Sequence, residues 1–234
     1  MSDGPGGQVF DRQDHGEGET EDQHGERRGC VYVALELAEA GLYRGTGILA
    51  GDRRSESEMM KVLVTRRLVL RRMESRDLDS LYALYSDPEV RRYFPEGTLN
   101  REETRAELEW FLNGHPDDPN LGLWATIHKE TDRFIGRCGL LPWTIDDRPE
   151  VEVAYLLARR YWGQGLGTEV AQAILDYGFE QLHLSRLICL IDSTNLASIK
   201  VAEKIGMTFE KEGTDDMGPF LLYSRSKPFA SGAS

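Results

Sequence analysis

Three glycines in five residues, Gly163-Gln164-Gly165-Leu166-Gly167, separate the alternating segment EVEVAYLLA that begins at Glu150 from a helical stripe carried by Val170, Ile174, Tyr177 and Leu182. A strand that ends in such a loop and turns at once into a helix leaves several backbone N–H groups unpaired at the helix N-terminus. There the helix dipole favours negative charge, so the loop reads as an anion cradle suited to a phosphate. A nucleoside-triphosphate loop is excluded because no Gly-Lys-Ser/Thr follows. A dinucleotide fingerprint is weakened because the third glycine it requires falls on Thr168, and because the preceding strand belongs to a meander. The competing reading is that the glycines serve only a tight turn and close packing.

The rest of the chain supplies the elements around this loop. Val62 to Met73 alternates apolar and basic residues as an outer strand with one wet face. Helical spacing follows at Leu78, Leu81, Tyr82 and Tyr85, and Asp87-Pro88 interrupts it. Asn100 with Glu103 resembles a capping box that opens a second helix with Thr104, Leu108, Phe111 and Leu112 on its apolar face. Three extended segments starting at Leu121, Arg133 and Glu150 predict an antiparallel meander. After the glycine loop come a helix over 168–182, the interior strand Leu187 to Ile191, a helix from Asn195 to Ile205 stopped by Gly206, and two final strands. The order is β, α, α, three strands, α, β, α, β, β: a mixed α/β (α+β) class in one domain, 61–234.

Residues 1–60 hold 6 Arg against 13 Asp and Glu, about −7 of the net −12, with few large apolar groups in their first half. They predict a disordered or weakly ordered acidic extension, and the Met59-Met60 pair raises the expectation that translation begins there. The remaining mild acidity argues against sequence-independent binding to nucleic acid and suits a basic or amine partner. No run approaches the roughly 18 apolar residues of a membrane span. Cys30, Cys138 and Cys189 form neither a paired framework nor a metal pattern. A cytoplasmic protein with no metal and no membrane partner, monomer or homodimer, is the expectation.

The segments TRRLVLRRM, SDPEVRRYFP, EVEVAYLLARRYWGQGLGTEVAQAIL and DSTNLASIKVAEKIGMTFE, within residues 64 to about 225, resemble the GNAT superfamily of N-acetyltransferases. Within it they resemble the group that includes the bacterial ribosomal-protein N-terminal acetyltransferases. The resemblance implies the GNAT acyl-CoA N-acyltransferase fold, a twisted, mostly antiparallel sheet flanked by helices, and acetyl-CoA as acyl donor. It implies that Trp162, Gly163, Gln164, Gly165, Leu166, Gly167 and Thr168 hold the pyrophosphate, that backbone groups at Leu157 hold the pantetheine arm, and that Asn195 faces the pantetheine amides.

Amide formation from a thioester needs a neutral amine, a donor to the developing oxyanion and a proton for the departing thiolate. Glu152, matching the family's Glu-Ile-Gly-Tyr segment, is the candidate base; Glu150 on the same strand face, or a water chain, is its rival. Ser198 stands in for the tyrosine that many relatives carry in the helix after the interior strand, and the backbone N–H of Leu157 or a neighbour is the oxyanion donor. Trp143, after Pro142, is assigned to the acceptor groove, whereas Cys189, His128 and His183 are given no chemical role. The activity implied is direct transfer of an acetyl group to a primary amine, on a small molecule or a protein N-terminus. The alternative is a non-catalytic acyl-CoA-binding module.

Overall fold

The computed structural model describes residues 61–113, 118–215 and 218–227. The acidic extension, the Met59-Met60 pair and Cys30 lie outside the described residues, as do Gly114 and Pro116 beyond the second predicted helix.

Among the described residues, eight strands form one sheet: β1 (Lys61–Val64), β2 (Leu68–Arg71), β3 (Gly122–His128), β4 (Arg133–Ile145), β5 (Arg148–Leu157), β6 (Arg186–Ile191), β7 (Thr208–Asp215) and β8 (Gly218–Ser226). Their order across the sheet is β1-β2-β3-β4-β5-β6-β8-β7, and every neighbouring pair is antiparallel except β5 and β6. The helices are α1 (Leu78–Tyr85), α2 (Pro88–Arg91), α3 (Arg101–Asn113), α4 (Leu166–Glu180) and α5 (Leu196–Lys204). No described helix is long and apolar enough to cross a membrane.

Strand alternation divides the apolar residues between two faces. Leu123, Ala125, Leu141, Ala154 and Leu156 pack under Leu81, Leu84 and Tyr85 of α1 and Leu108 and Phe111 of α3. On the opposite face Leu140, Val153, Leu157 and Leu187 pack against Val170, Ile174 and Leu175 of α4. β6, flanked by β5 and β8, is covered on both sides, which is why LICLI shows no alternation. The β4–β5 hairpin closes through Asp146 and Asp147, at φ 49° and 59°. Two consecutive left-handed residues match the twist of a two-residue hairpin, and Asp tolerates that region better than most residues.

The expected capping box is present: Asn100 Oδ1 accepts from the N–H groups of Glu102 and Glu103, and Glu103 Oε2 accepts from the Asn100 N–H. One expectation fails. Val62 to Met73 is not a single strand but the β1–β2 hairpin, turned by Thr65, whose Oγ1 accepts the Leu68 N–H at 2.9 Å. That side-chain bond replaces a ladder partner and folds the segment back on itself.

Candidate active site

β5 and β6 are paired at a single point, Glu152 opposite Ile188, and from there they diverge. The other edge of β5 stays bonded to β4 over its whole length. The Ala158 N–H donates to Ile135 O at 2.7 Å, so the Leu157 N–H, pointing to the opposite side of an extended backbone, faces the gap between β5 and β6. The open strand edge thus offers the backbone groups that an extended amide-bearing chain would pair with.

One cavity of about 590 Å³ runs from this split to the start of α4. Leu157, Trp162, Gly163, Gly165, Leu166, Gly167, Thr168, Asn195, Ser198 and Glu152 all line it. The loop geometry explains two of the glycines: Gly163 at φ 72° and Gly165, the residue capping α4, at φ 75° occupy left-handed backbone. Leu166 is buried, so only its backbone serves the loop. Gln164 is turned away from the cavity. Its side-chain amide donates to Arg160 O and its carbonyl accepts from Arg67, so its predicted part in holding phosphate is not supported by its position. Trp162 spans the loop by donating its indole N–H to Leu157 O at 2.7 Å, which occupies that carbonyl and leaves the Leu157 N–H as the polar group offered there.

The two candidate carboxylates separate clearly. Glu150 receives the guanidinium of Arg186 at 3.0 Å and stands outside the cavity. Glu152 lies at the fork itself: Trp143 Nε1 donates to its Oε2 at 2.7 Å, and the Leu190 N–H of β6 approaches Oε1 at 3.5 Å. Trp143 also lines the cavity, as its assignment to the acceptor groove requires. Across the split, Asn195 Oδ1 accepts the Ser198 N–H at 3.2 Å, a helix cap, and the Tyr155 hydroxyl reaches Ser198 O at 3.4 Å. Burial, with the Glu152 carboxylate adding to it, pushes the Tyr155 phenol well up and keeps it protonated. Burial likewise pushes the Cys189 thiol well above its usual range and that of Cys138 to about 11, so neither supplies a thiolate nucleophile near neutral pH.

Towards α2 and α3 the cavity is lined by charged groups that sequence reading passed over. Arg91, Glu107 and Arg137 are all buried, and Glu107 Oε2 has no hydrogen-bond partner among the described residues. Arg91 donates to Gly97 O and pairs with Glu96 at 3.3 Å, while its guanidinium stacks 4.3 Å from the Phe94 ring centroid. Glu107 lies on the buried face of α3, in phase with Thr104 and Phe111, so a charged residue where helical spacing calls for an apolar one is the trace it leaves in the sequence.

Comparison with known proteins agrees with this architecture. The family model described as an acetyltransferase (GNAT) domain matches residues 67–208. The uncharacterized protein YkkB of Bacillus subtilis (strain 168) is 39% identical over 164 residues, covering 70% of this chain and 94% of that protein. The uncharacterized N-acetyltransferase p20 of Bacillus licheniformis is 35% identical over 155 residues, covering 66% and 85%. Among solved structures, RimL, a ribosomal L7/L12 alpha-N-protein acetyltransferase in complex with coenzyme A, superposes with a TM-score of 0.59 at 18% identity, covering 71% of this chain and 97% of that one. The split sheet, the glycine loop and these matches together show that the chain belongs to the GNAT family of acetyl-CoA-dependent acetyltransferases.

Proposed function

We propose that the protein transfers the acetyl group of acetyl-CoA directly to a primary amine bound beside Glu152, on a small molecule or a protein N-terminus. The observation carrying this reading is that a single cavity joins the glycine loop to the fork where Glu152 lies. The N–H groups of Gly163, Gly165, Gly167 and Thr168 hold the pyrophosphate, and the free edge of β5 holds the pantetheine arm. Glu152 takes a proton from the attacking ammonium, the Leu157 N–H stabilises the oxyanion, and Ser198 returns a proton to the thiolate. Trp143 fixes the Glu152 carboxylate while leaving it acceptor capacity.

Thermal unfolding of the full chain tests the donor. Acetyl-CoA or CoA at about 100 times its dissociation constant should stabilise the native state by about 2.7 kcal/mol, raising the midpoint by roughly 5–10 °C, whereas ATP and NAD should not. Gly163→Glu should abolish the shift yet keep the fold. A Cβ at Gly163 meets nothing within 4 Å, so the substitution costs only the ~1–2 kcal/mol of left-handed backbone while its carboxylate repels the phosphates. A larger shift with ATP or NAD would overturn the reading. A CoA shift with no turnover across an amine panel would favour the non-catalytic alternative.

The buried Glu107 oxygen, without a hydrogen-bond partner among the described residues, gives the acceptor arm its own test. Leaving such a group unsatisfied is costly, which suggests that a hydrogen-bond donor of the acceptor occupies it. Glu107→Gln is expected to raise the acceptor KM about tenfold and leave the acetyl-CoA KM unchanged in steady-state assays; equal changes in both would show that the variant disturbs the whole cavity.

A further inference from the structure

The phosphate cradle is held from outside by a residue of the β1–β2 turn. Arg67 lies 97 positions before Gln164 in sequence and does not line the cavity, yet its Nη1 donates to Gln164 O at 2.9 Å. The same guanidinium donates through Nε to Glu169 Oε2 at 2.7 Å, and the Arg67 backbone N–H donates to Glu169 Oε1 at 2.7 Å. Thr65 completes the clasp by donating its hydroxyl to Glu169 Oε1 at 2.6 Å, while that hydroxyl oxygen accepts the Leu68 N–H. Glu169 belongs to the first turn of α4, and its own N–H closes on Gly165 O.

This arrangement does two things to the loop. Every described peptide is trans, so the carbonyl of Gln164 and the N–H of Gly165 point in opposite directions across one rigid plane. Drawing the carbonyl outward onto Arg67 therefore turns the Gly165 N–H inward, towards the cavity that Gly165 lines. With no Cβ at position 165 that peptide could otherwise rotate at little cost, since glycine populates both signs of φ. The second effect is electrostatic. A carboxylate in the first turn of α4 stabilises the helix but opposes a phosphate at the same end. Burial alone would raise the Glu169 acid, yet the hydrogen bonds from Thr65 and Arg67 outweigh it and hold the carboxyl below its ordinary range, with its charge directed at Arg67. Arg67 Nη2 lies 3.6 Å from where a Gly165 Cβ would be, so the guanidinium backs directly onto the loop.

We propose that Arg67 is a positioning residue for the donor's diphosphate, acting through the Gln164–Gly165 peptide and the Glu169 carboxylate without contacting the substrate. The proposal rests on the reading that the glycine loop holds CoA. It further implies that a lysine cannot replace the arginine: one ammonium cannot reach both Glu169 and the Gln164 carbonyl with the fixed fork that a guanidinium provides.

The test is isothermal titration of CoA and 3′-dephospho-CoA into the full-length wild type and its Arg67→Met and Arg67→Lys variants, with steady-state kinetics on the best acceptor of the amine panel. Both variants should bind both ligands about tenfold more weakly. The acetyl-CoA KM should rise by a similar factor, with kcat within twofold of wild type. Loss on CoA but not on 3′-dephospho-CoA would overturn the proposal in favour of direct contact with the 3′-phosphate. Full rescue by lysine would replace orientation of the peptide with charge alone, and a fall in kcat matching the rise in KM would reduce the role to general stability. Unchanged affinities in both variants would remove Arg67 from the site. Failure of the wild type to bind CoA would instead refute the underlying functional reading, which keeps the two outcomes apart.

Discussion

Replacing Glu152 by Gln should lower kcat by about 10²- to 10³-fold while leaving the affinity for CoA within twofold, the signature of a lost general base and an intact donor site. The substitution is nearly isosteric, and the amide oxygen can still accept from Trp143 Nε1, so the fork between β5 and β6 should keep its shape. What changes is the capacity to take a proton from the attacking ammonium. The control is Glu150→Gln: Glu150 is committed to Arg186 at 3.0 Å and lies outside the cavity, so its loss should affect stability far more than rate. Ser198→Ala should fall between the two, because the neighbouring Tyr155 phenol, held on the Ser198 carbonyl and made a weaker acid by burial, can replace Ser198 only in part. Stopped-flow or steady-state rates at saturating acetyl-CoA, together with titration of CoA into each variant, decide it. A Glu152→Gln enzyme with wild-type kcat would transfer the role of base to a water chain.

The residues legible in the sequence were those whose job is done by local chemistry. Asn100 and Glu103 cap one another across three residues, Gly206 at φ 77° ends α5, and the glycines of 163–167 turn a strand into a helix. Each of these is decided within a few residues, and the spacing records it. Glu152 and Glu150 were legible only as a candidate base and its rival. Two residues apart on one strand they share a face, and only the position of Arg186 on β6 and the point at which β6 parts from β5 tell them apart. Arg67 escaped for the same reason. In TRRL it reads as one more wet residue of an outer strand, and its meaning depends on Glu169 and Gln164 about a hundred residues later. The buried charges Arg91, Glu107 and Arg137 run against the pattern by which sequence predicts a core, since charged residues are seldom fully buried without a partner or a ligand. All three line the cavity, where buried polar groups interrupt the packing pattern that the sequence predicts.

Gly139 shows the reverse case, a glycine that no loop motif announces and on which the sheet depends. It sits in the middle of β4 opposite Leu123, and a Cβ there would lie 2.0 Å from Gly122 O and 3.1 Å from the Leu123 Cα. The obstruction is the backbone of β3 itself, so no side-chain rotation relieves it. Gly122, at φ 130°, already occupies a conformation that only glycine takes easily. Gly139→Ala must therefore push β3 away from β4 and break ladder bonds at the centre of the sheet. A cost of about 3 kcal/mol, at the upper end of ordinary overpacking, corresponds to a midpoint lower by roughly 6–12 °C for a domain of this size. Gly167→Ala is the contrasting variant. Its Cβ would meet Val201 Cγ2 at 3.7 Å, ordinary contact, and alanine is the better residue inside a helix by roughly 0.5–1 kcal/mol, so the midpoint should hold or rise. Differential scanning calorimetry of the two variants beside wild type measures both. If Gly139→Ala melts with wild type, the close approach of β3 to β4 is wrong. If it melts early yet regains its midpoint on adding CoA, the displaced β4 still leaves β5 and its free edge in place, because β5 is supported from the other side by α4.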